Sequence, residues 1–447
     1  MKAGFFEVDI TPRIGVGLCG FGPYLNRYSI GVRDVLKARA AAFEQDGEKA
    51  VIVSCDLIGV TAEIACKVKH LVAGKTGVPR ENVMVHCTHT HSGPNTGGYI
   101  GWGNEDEPYI VLLPGRIAEA CSKAIERLQE AEMLHAAVPC EGIGLNREYD
   151  KDAPPLEDVL RDDWRPAKPE LTDTKCHVLK FIDKTNGKMN GFMAYFGCHP
   201  VVCCQLTRYI HGDFCGVAMN NLERENPGSV GLFLQGAQGD VNSCVVHKPE
   251  KEALLALDVI AARFANSVRQ GLQTAKPIAV NNIKCVDVMQ KLSSKEIPLS
   301  RIKEMLAEKE AVVYADGASD ENGAVRMAVV TMIALRSIIS RIEKGEDLQS
   351  QTAEIQGIRL GPVEFLGAPL EIMQAIKNDI VVAAKAPVTL VMGITNGSMG
   401  YAPDRTAAAR GGYASDTVPM IVGRMPFLDI HTELVNAFLE TDCILSK

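Results

Sequence analysis

The chain has 447 residues, 46% of them hydrophobic and 23% charged, which is typical of a globular protein with room for one large α/β domain or two smaller ones. Its formal net charge of −8 argues against a general nucleic-acid binder. No apolar run approaches the roughly 20 residues needed to span a bilayer, so no integral membrane segment is predicted.

The N-terminus and the cysteines favour a cytoplasmic location. The first residues, MKAGFFEVD, lack the apolar region of a signal peptide. The 14 cysteines show no paired C-x-x-C spacing and fit buried thiols in a reducing compartment. We therefore expect a cytoplasmic protein, and the sequence leaves a homo-oligomer open.

Hydrophobic patterns in the first third of the chain predict alternating strands and helices. Residues 38–44 and 50–55 are predicted as a hairpin around a Gln-Asp-Gly-Glu turn, and 62–73 as a helix. Residues 106–129 show a longer helical pattern in which Pro114 marks a kink or the true start.

The stretch from Asn82 to Trp102 carries the strongest chemical signal. An apolar strand, 83–85, leads into His89 and His91, and alternate residues of an extended chain face the same side. A Gly/Pro-rich loop follows, which lets backbone approach whatever the histidines hold. The pattern favours a metal or charge-handling site; the alternative is a pair of hydrogen-bonded structural histidines.

The rest of the chain continues the α/β pattern. Residues 150–170, rich in Asp and Pro, are predicted as a surface loop. The predicted strands are 192–197, 230–234, 278–290, 352–359, 363–366 and 389–395, and the predicted helices are 214–225, 251–275, 300–313 and 322–344. These elements predict an α/β fold of mixed β-sheets flanked by helices, with a site at strand ends and loops.

Further polar residues follow these predicted strands. His199 comes directly after one strand, and Cys198 beside it is expected to face the core. Asp213 suits a helix N-cap. Asp240 lies in a Gly-Asp-Val segment after another strand, and Tyr401 follows the last one.

The motif His-Thr-His-Ser-Gly-Pro at residues 89–94 resembles that of the neutral ceramidase family, zinc-dependent amidases that cleave N-acyl sphingoid bases. The Asp-Ile-Thr-Pro opening, Asn-Arg at 146–147, Gly-Asp-Val at 239–241, and Tyr401 and Tyr413, 12 residues apart, resemble the same family in the same order. The resemblance implies one zinc ion per chain. It implies metal ligands at His89, His199 and Tyr401, and catalytic or substrate-orienting roles at His91, Arg147, Tyr413 and Asp240.

Two departures from the family pattern shape the predicted mechanism. Asn242 stands where the family has serine, which favours metal-activated water over an acyl-enzyme. Ala368 stands where the family has a glutamate ligand. Glu371 is expected in the first turn of a helix from Pro369, where it would stabilise the helix dipole, and Glu364 is expected on the wrong side of its strand.

These observations predict a zinc-dependent hydrolase that cleaves an amide (N-acyl) bond in a small-molecule substrate. Without the glutamate, two imidazoles and one phenolate would leave the zinc site with a net charge of about +1. A carboxylate from Glu371, Glu364 or Asp213, a hydroxide in the vacant position, or an anionic substrate group could compensate this charge, and the last two are favoured. Aromatic residues make up only 6% of the chain, so a substrate smaller than ceramide is expected. The alternatives are an esterase or lactonase on the same site, or a non-catalytic metal-binding homologue. Residues 1–447 are predicted as a single catalytic domain without the immunoglobulin-like domain of the ceramidases.

Overall fold

The computed structural model describes residues 1–149 and 154–447, so the first four residues of the predicted 150–170 loop lie outside it. The strands are Lys2–Asp9 (β1), Gly31–Val32 (β2), Lys37–Gln45 (β3), Glu48–Cys55 (β4), Val83–Cys87 (β5), Gln129–Pro139 (β6), Gly144–Asn146 (β7), Lys175–Asp183 (β8), Met189–Phe196 (β9), Tyr209–Ile210 (β10), Val230–Gln235 (β11), Val241–Ser243 (β12), Lys276–Ile278 (β13), Ile283–Ser293 (β14), Ser350–Leu360 (β15), Val363–Gly367 (β16), Glu371–Ile372 (β17), Val388–Met392 (β18) and Tyr401–Ala402 (β19).

Helices connect these strands, and most of them carry one apolar face. The α-helices are Ala62–Thr76 (α1), Glu107–Glu126 (α2), Leu156–Val159 (α3), Asp213–Glu225 (α4), Glu250–Thr274 (α5), Leu299–Val313 (α6), Gly323–Glu343 (α7), Gln374–Ala383 (α8), Arg405–Arg410 (α9), Val418–Ile421 (α10) and Ile430–Leu445 (α11). Short 3₁₀ turns lie at Arg80–Asn82 and Pro169–Leu171, and a π-helical turn at Tyr413–Thr417 precedes α10.

Within the described residues the largest sheet has nine strands, in the order β11-β9-β8-β6-β1-β3-β4-β5, with β13 also pairing with β6. Two of its pairs are parallel, β4 with β5 and β9 with β11. The carboxyl ends of parallel neighbours meet at one edge of a sheet, where α/β proteins place their ligand sites. The loops after β5, β9 and β11 therefore gather the residues that the sequence singles out.

The second sheet, β14-β15-β16-β18, packs against the first. Their shared core includes Phe5, Phe43 and Phe181 from the large sheet and Ile358 and Phe365 from the smaller one. Helices α1, α2, α4 and α5 cover the other face of the large sheet, and α8 and α11 cover the smaller sheet. The result is a helix–sheet–sheet–helix arrangement, and the predicted α/β class with mixed sheets is confirmed.

Most predicted elements agree with the structure to within a few residues. The hairpin of β3 and β4 has the predicted turn, and α2 runs through Pro114 without a break. The predicted helix from Pro369 is wrong, because Glu371 begins the short strand β17 and the helix starts only at Gln374. The N-cap of α4 is Gly212, and Asp213 is its first helical residue.

Helix α7 is the one helix of the described chain that is long and apolar enough to cross a membrane by length and composition. In the structure 44% of the apolar 18-residue stretch of this helix is buried inside the protein. Its apolar side chains Leu335, Ile338 and Ile339 pack in one cluster with Ile302 of α6 and with Met420 of α10. Core helices meet the same length and composition criteria, and this packing gives α7 a place in the core.

Candidate metal centre

The site forms where the loops after β5 and β9 meet the strand pair β17–β19. A bridge between His199 and Asn242 ties the loop after β9 to β12. A second bridge, between His86 and Thr395, ties β5 to the loop after β18. Strand β17 pairs in parallel with β19, so Glu371 lies directly beside Tyr401. Loops from both halves of the chain therefore converge on one buried pocket.

The side chains of His89 and His91 do come together, in an edge-to-face arrangement. They do not do so as alternate residues of an extended strand. Strand β5 ends at Cys87, and His89 has φ +72°, in the left-handed region that non-glycine residues rarely occupy. The two ring centroids lie 4.8 Å apart, and that of His199 lies 5.0 Å from His89. The ligand atoms of these three histidines all lie within 4.8 Å of one another.

Backbone carbonyls fix the tautomer of two of these histidines. The Nδ1 atom of His89 lies 2.5 Å from the carbonyl of Ile58, and Nδ1 of His199 lies 2.6 Å from the carbonyl of Gln238. A carbonyl only accepts hydrogen bonds, so each Nδ1 carries the proton and each Nε2 keeps its lone pair. This second hydrogen bond is the usual way in which proteins orient a histidine for a metal.

Glu371 supplies a carboxylate to the same point. Its Oε2 atom lies 3.0 Å from Nε2 of His199 and 3.5 Å from Nε2 of His89. Tetrahedral zinc with bonds of about 2.0–2.1 Å would set its ligands roughly 3.3 Å apart. The expected dipole-stabilising role of Glu371 is therefore wrong, because its side chain projects from a strand into the histidine cluster.

The donor set fits a cation. Two nitrogen lone pairs that face one carboxylate oxygen repel it unless a proton or a metal ion lies between them. Burial lowers the pKa of His199 to about 4, so at neutral pH this histidine does not supply the proton. The group is ready for a metal, and zinc accepts these ligand types.

Glu364, the other carboxylate considered as a ligand, lies elsewhere. It is buried in β16, and its Oε1 atom accepts a hydrogen bond of 3.0 Å from the Thr389 hydroxyl. Burial raises its pKa to about 7, with a further contribution from Asp442. Glu364 therefore belongs to the core beneath α11 and takes no part in the pocket.

His91 lines the pocket with both ring nitrogens buried and without hydrogen-bond partners among the described residues. Burial, followed by its histidine neighbours, holds its pKa well below the ordinary value of 6.5. Gly20, with φ +116°, makes room for the ring, because a Cβ atom there would lie 2.5 Å from Nδ1 of His91. A neutral imidazole with two free nitrogens can bind a metal, donate a proton or accept one.

Tyr401 lines the pocket beside the histidines, and Arg147 lies against the Tyr401 ring. The Tyr401 ring centroid lies 6.4 Å from that of His199, and the Arg147 guanidinium lies 5.1 Å above the Tyr401 ring. The guanidinium also donates a hydrogen bond of 2.7 Å to the Gly239 carbonyl. Burial raises the pKa of Tyr401 well above 10, whereas Arg147 opposes this shift. Tyr413, 52% exposed, lies at the rim, its ring centroid 6.0 Å from that of Tyr401.

Asp240 is not among the residues that line this pocket in the described structure. Its carboxylate accepts hydrogen bonds of 2.8 Å from the Asn146 amide and 2.9 Å from the Gln374 backbone N–H. Burial raises its pKa to about 6. The geometry gives Asp240 a positioning role, because it joins the strand before Arg147 to the start of α8; its catalytic role stays a prediction.

The segment in which Asn242 replaces the family's serine has a structural role. The Oδ1 atom of Asn242 accepts a hydrogen bond of 3.3 Å from Arg147. Ser243 is buried, and its hydroxyl accepts a hydrogen bond of 3.3 Å from the Val245 backbone N–H. Ser243 is thus turned into the protein and away from the pocket lining.

A second group of metal-type side chains lies close by, in Cys203, His211 and Asp213, all buried with ligand atoms within 4.8 Å of one another. The Nδ1 atom of His211 accepts a hydrogen bond of 3.1 Å from the Asp213 backbone N–H. In the neutral ring Nε2 must then carry the proton, and burial lowers the His211 pKa to about 3. The Asp213 carboxylate already accepts hydrogen bonds from Val202, Cys203 and Phe214.

The walls of the metal pocket include residues for which the sequence analysis predicts no role. Ile58 supplies the carbonyl for His89, and Tyr99 and Trp102 close the pocket from the loop after the histidine motif. Val418 and Ile421 of α10 complete the apolar side. Tyr99 and Trp102 lie inside the motif stretch, so proximity to His91 was their only signal.

Fold and site together define an α/β protein with a buried histidine–carboxylate cluster suited to a metal ion. The chain belongs to the neutral/alkaline non-lysosomal ceramidase family, since the model of that family's N-terminal region matches residues 2–246. The predicted family membership is confirmed. The matched region contains Arg147 and the three histidines His89, His91 and His199, whereas Glu371 and the two tyrosines lie beyond it.

Curated relatives include the neutral ceramidase of Pseudomonas aeruginosa, which is 27% identical over 264 residues, 56% of this chain and 38% of the relative. Neutral ceramidase B of Dictyostelium discoideum is 27% identical over 242 residues, 49% of this chain and 32% of the relative. The chain thus aligns with about a third to two fifths of these relatives.

The fold is also similar to a solved structure. The crystal structure of the neutral ceramidase from Pseudomonas aeruginosa matches with a TM-score of 0.75 and 19% identity, over 99% of this chain and 74% of that chain. The similarity therefore extends through the C-terminal part of the chain, where β17 and β19 supply Glu371 and Tyr401.

Proposed function

We propose that this protein is a zinc-dependent hydrolase that cleaves the amide bond of an N-acyl compound. The observation that carries the proposal is the convergence of His89 Nε2, His199 Nε2 and Glu371 Oε2, with both Nδ1 atoms committed to backbone carbonyls. Membership of the ceramidase family supports amide hydrolysis as the reaction class.

One ion per chain would be held by His89, His199 and Glu371, with Tyr401 beside them. When bound, zinc polarises an amide carbonyl and lowers the pKa of a water molecule to about 7, so that this water can lose a proton and attack the carbonyl at neutral pH. Two neutral imidazoles and a carboxylate leave one positive charge on the group, and a phenolate would remove it. The expectation of a lost glutamate, and with it a non-catalytic homologue, has no support in this geometry.

The chain's own residues would orient the substrate and handle charge. Arg147, fixed by the Gly239 carbonyl and the Asn242 amide, places a cation beside Tyr401. A fixed cation at this position stabilises the negative charge that grows on a carbonyl oxygen during attack. His91 has two free ring nitrogens at the pocket wall and can pass a proton to the leaving amine. Tyr413 at the rim would contact the substrate.

The proposal is tested by measuring metal content and hydrolysis together. Purified protein should contain about one zinc ion per chain by plasma mass spectrometry, and a chelator should abolish hydrolysis of N-acyl amides until zinc is restored. His199→Ala should lose both properties, whereas His135→Asn should keep them, because His135 stacks on His177 away from the pocket. A metal-free wild type that still cleaves amides would contradict the proposal.

Turnover of the amide is then compared with turnover of an ester and a lactone that carry the same acyl chain, which shows which type of bond the protein cleaves. Faster turnover of the amide, relative to its uncatalysed rate, is the expected result. Ester or lactone cleavage without amide cleavage would replace the amidase by an esterase that uses the same metal centre.

A further inference from the structure

A larger cavity adjoins the metal pocket. The metal pocket has a volume of about 70 Å³, too small for a whole substrate, while the neighbouring cavity has about 480 Å³. Tyr99, Trp102, Ile421 and Val422 line both, so they form a shared wall. Ligand pockets of about 300–1,000 Å³ hold molecules of drug size. A substrate bound at the metal pocket would have to extend past this wall, and the larger cavity is the space that adjoins it.

The cavity is lined mostly by uncharged side chains, together with three charged ones. Glu354 is paired with Lys69, whose Nζ atom also lies 3.4 Å from Asp287. Arg341 is paired with Glu346 through two hydrogen bonds, of 2.8 and 2.6 Å.

Arg424, the third, has no carboxylate within 4 Å in the part of the chain that the structure describes. Its guanidinium makes one long hydrogen bond, 3.4 Å, to the Gln351 side chain. Burial, and then repulsion from Arg341, lowers the pKa of Arg424. A half-buried charge without a counter-ion is unfavourable, and an anion between the two guanidinium groups would relieve it.

We propose that the larger cavity binds an anionic arm of the substrate and that Arg424 recognises its carboxylate. The inference rests on the proposed function, which it deepens by naming the substrate class: N-acyl compounds that carry a carboxylate. The planar guanidinium suits this group because its N–H fork matches the two carboxylate oxygens. Ile333, Met399 and Ile421 would contact the hydrocarbon part of the same arm.

The sequence predicted an anion preference at the metal centre itself. A missing glutamate would have left extra charge on the metal centre, but Glu371 supplies that carboxylate. The anion preference now depends on Arg424, which lies in the second cavity. Helix α7 and strand β14, which carried no sequence signal for function, contribute Ile333, Arg341 and Met289 to its walls.

Binding can be measured without any turnover. Trp102 lines both cavities, and the only other tryptophan of the chain is Trp164, so a Trp164→Phe background reports binding through Trp102 fluorescence alone. The probes are N-hexanoylglycine and its uncharged amide, N-hexanoylglycinamide. N-Hexylglutaramic acid and its amide place the carboxylate on the acyl side instead. We expect at least one acid to bind about 10- to 100-fold more tightly than its amide.

Arg424→Gln should weaken binding of that acid by about the same 10- to 100-fold and so erase its advantage over the amide. Arg424→Lys, which keeps the charge without the fork, should give an intermediate loss. Arg336→Gln is the matched control, because Arg336 lies on the exposed side of α7 and pairs with Glu310. It should bind both probes as the parent does.

Equal binding of acids and amides by the parent protein would overturn the inference without any variant. Unchanged acid binding by a folded Arg424→Gln protein would overturn it as well. If the acid binds through Arg424 but no N-acyl compound is hydrolysed, the proposed amidase fails and the anion site stands. If neutral amides are hydrolysed and the acids bind no more tightly than their amides, the proposed amidase stands and the anion site fails.

Discussion

Two buried clusters of metal-type side chains lie near each other in this protein, and they differ in which histidine nitrogen carries the proton. In the metal centre, carbonyls accept from Nδ1 of His89 and His199, and the Nε2 lone pairs face Glu371. In the second cluster a backbone N–H donates to Nδ1 of His211, which leaves the proton on Nε2.

Ligand type and spacing alone therefore do not define a metal site. Both clusters hold three ligand atoms within 4.8 Å of one another. To bind a metal through Nε2, His211 would have to lose the only N–H proton of its neutral ring. Otherwise that proton would have to move to Nδ1, which would break the hydrogen bond from the Asp213 backbone. The hydrogen bonds behind the ligands decide which cluster is prepared for a cation.

The largest effect is expected on metal content. His89→Ala combined with His199→Ala should reduce the zinc content from about one ion per chain to almost none, because only one imidazole would remain near Glu371. Cys203→Ser, in the second cluster, should leave the metal content unchanged. A wild type with two ions, one of which is lost in Cys203→Ser, would show that the tautomer argument is wrong.

Glu371→Gln should weaken zinc binding strongly while leaving both histidines in place. The neutral amide removes the carboxylate charge, so the loss of affinity should exceed the roughly 10–100-fold that follows from losing an outer-shell partner. Competition with a chromophoric chelator measures it. Glu364→Gln is the control for a buried carboxyl group outside the site, and equal affinities for the two variants would remove Glu371 from the ligand set.

Gly20→Ala should destabilise the protein and displace His91. The added methyl group would lie 2.5 Å from the imidazole, at a position with φ +116°. Gly15→Ala is the matched control, because φ there is +96° but nothing lies within 4 Å. Overpacking should cost about 1–3 kcal/mol more at Gly20 than at Gly15 in urea unfolding. Equal costs would mean that the pocket wall yields freely.

The smallest effect concerns the pH dependence of stability. His211 has a folded-state pKa of about 3, below its unfolded value of 6.5, so the unfolded state binds more protons between these values. Stability should therefore fall as the pH drops from 7.0 to 5.5, by about 1 kcal/mol from this residue. His211→Asn keeps an acceptor for the Asp213 N–H and should lack this contribution. An identical pH slope in both proteins would mean that His211 is not buried as a neutral ring.

The sequence predicted those parts of the site that depend on local pattern. His89, His91 and His199 follow apolar strands, and strand ends meet at one edge of a sheet. Local pattern failed at Glu371. Pro369 before an acidic residue is typical of a helix start, but two residues of strand pair with β19 instead, and that pairing joins segments 30 residues apart.

Tertiary structure decided the rest. The tautomers of His89 and His199 depend on the carbonyls of Ile58 and Gln238, and any residue type at those positions would supply the same group. The cavity around Arg424 forms only when α7 and β14 pack beside the loop that contains Trp102. A periodic pattern shows that α7 is a helix, and it does not show what lies across from it.

The division of the metal centre between distant parts of the chain has a consequence for protein synthesis. When the ribosome has completed β12, both histidines and Arg147 exist, but Glu371 and Tyr401 have not been translated. The nascent chain can expose imidazoles to a metal ion, yet it cannot offer the full set of candidate ligands. Maturation of the centre must therefore wait until β17 and β19 have left the ribosome and paired.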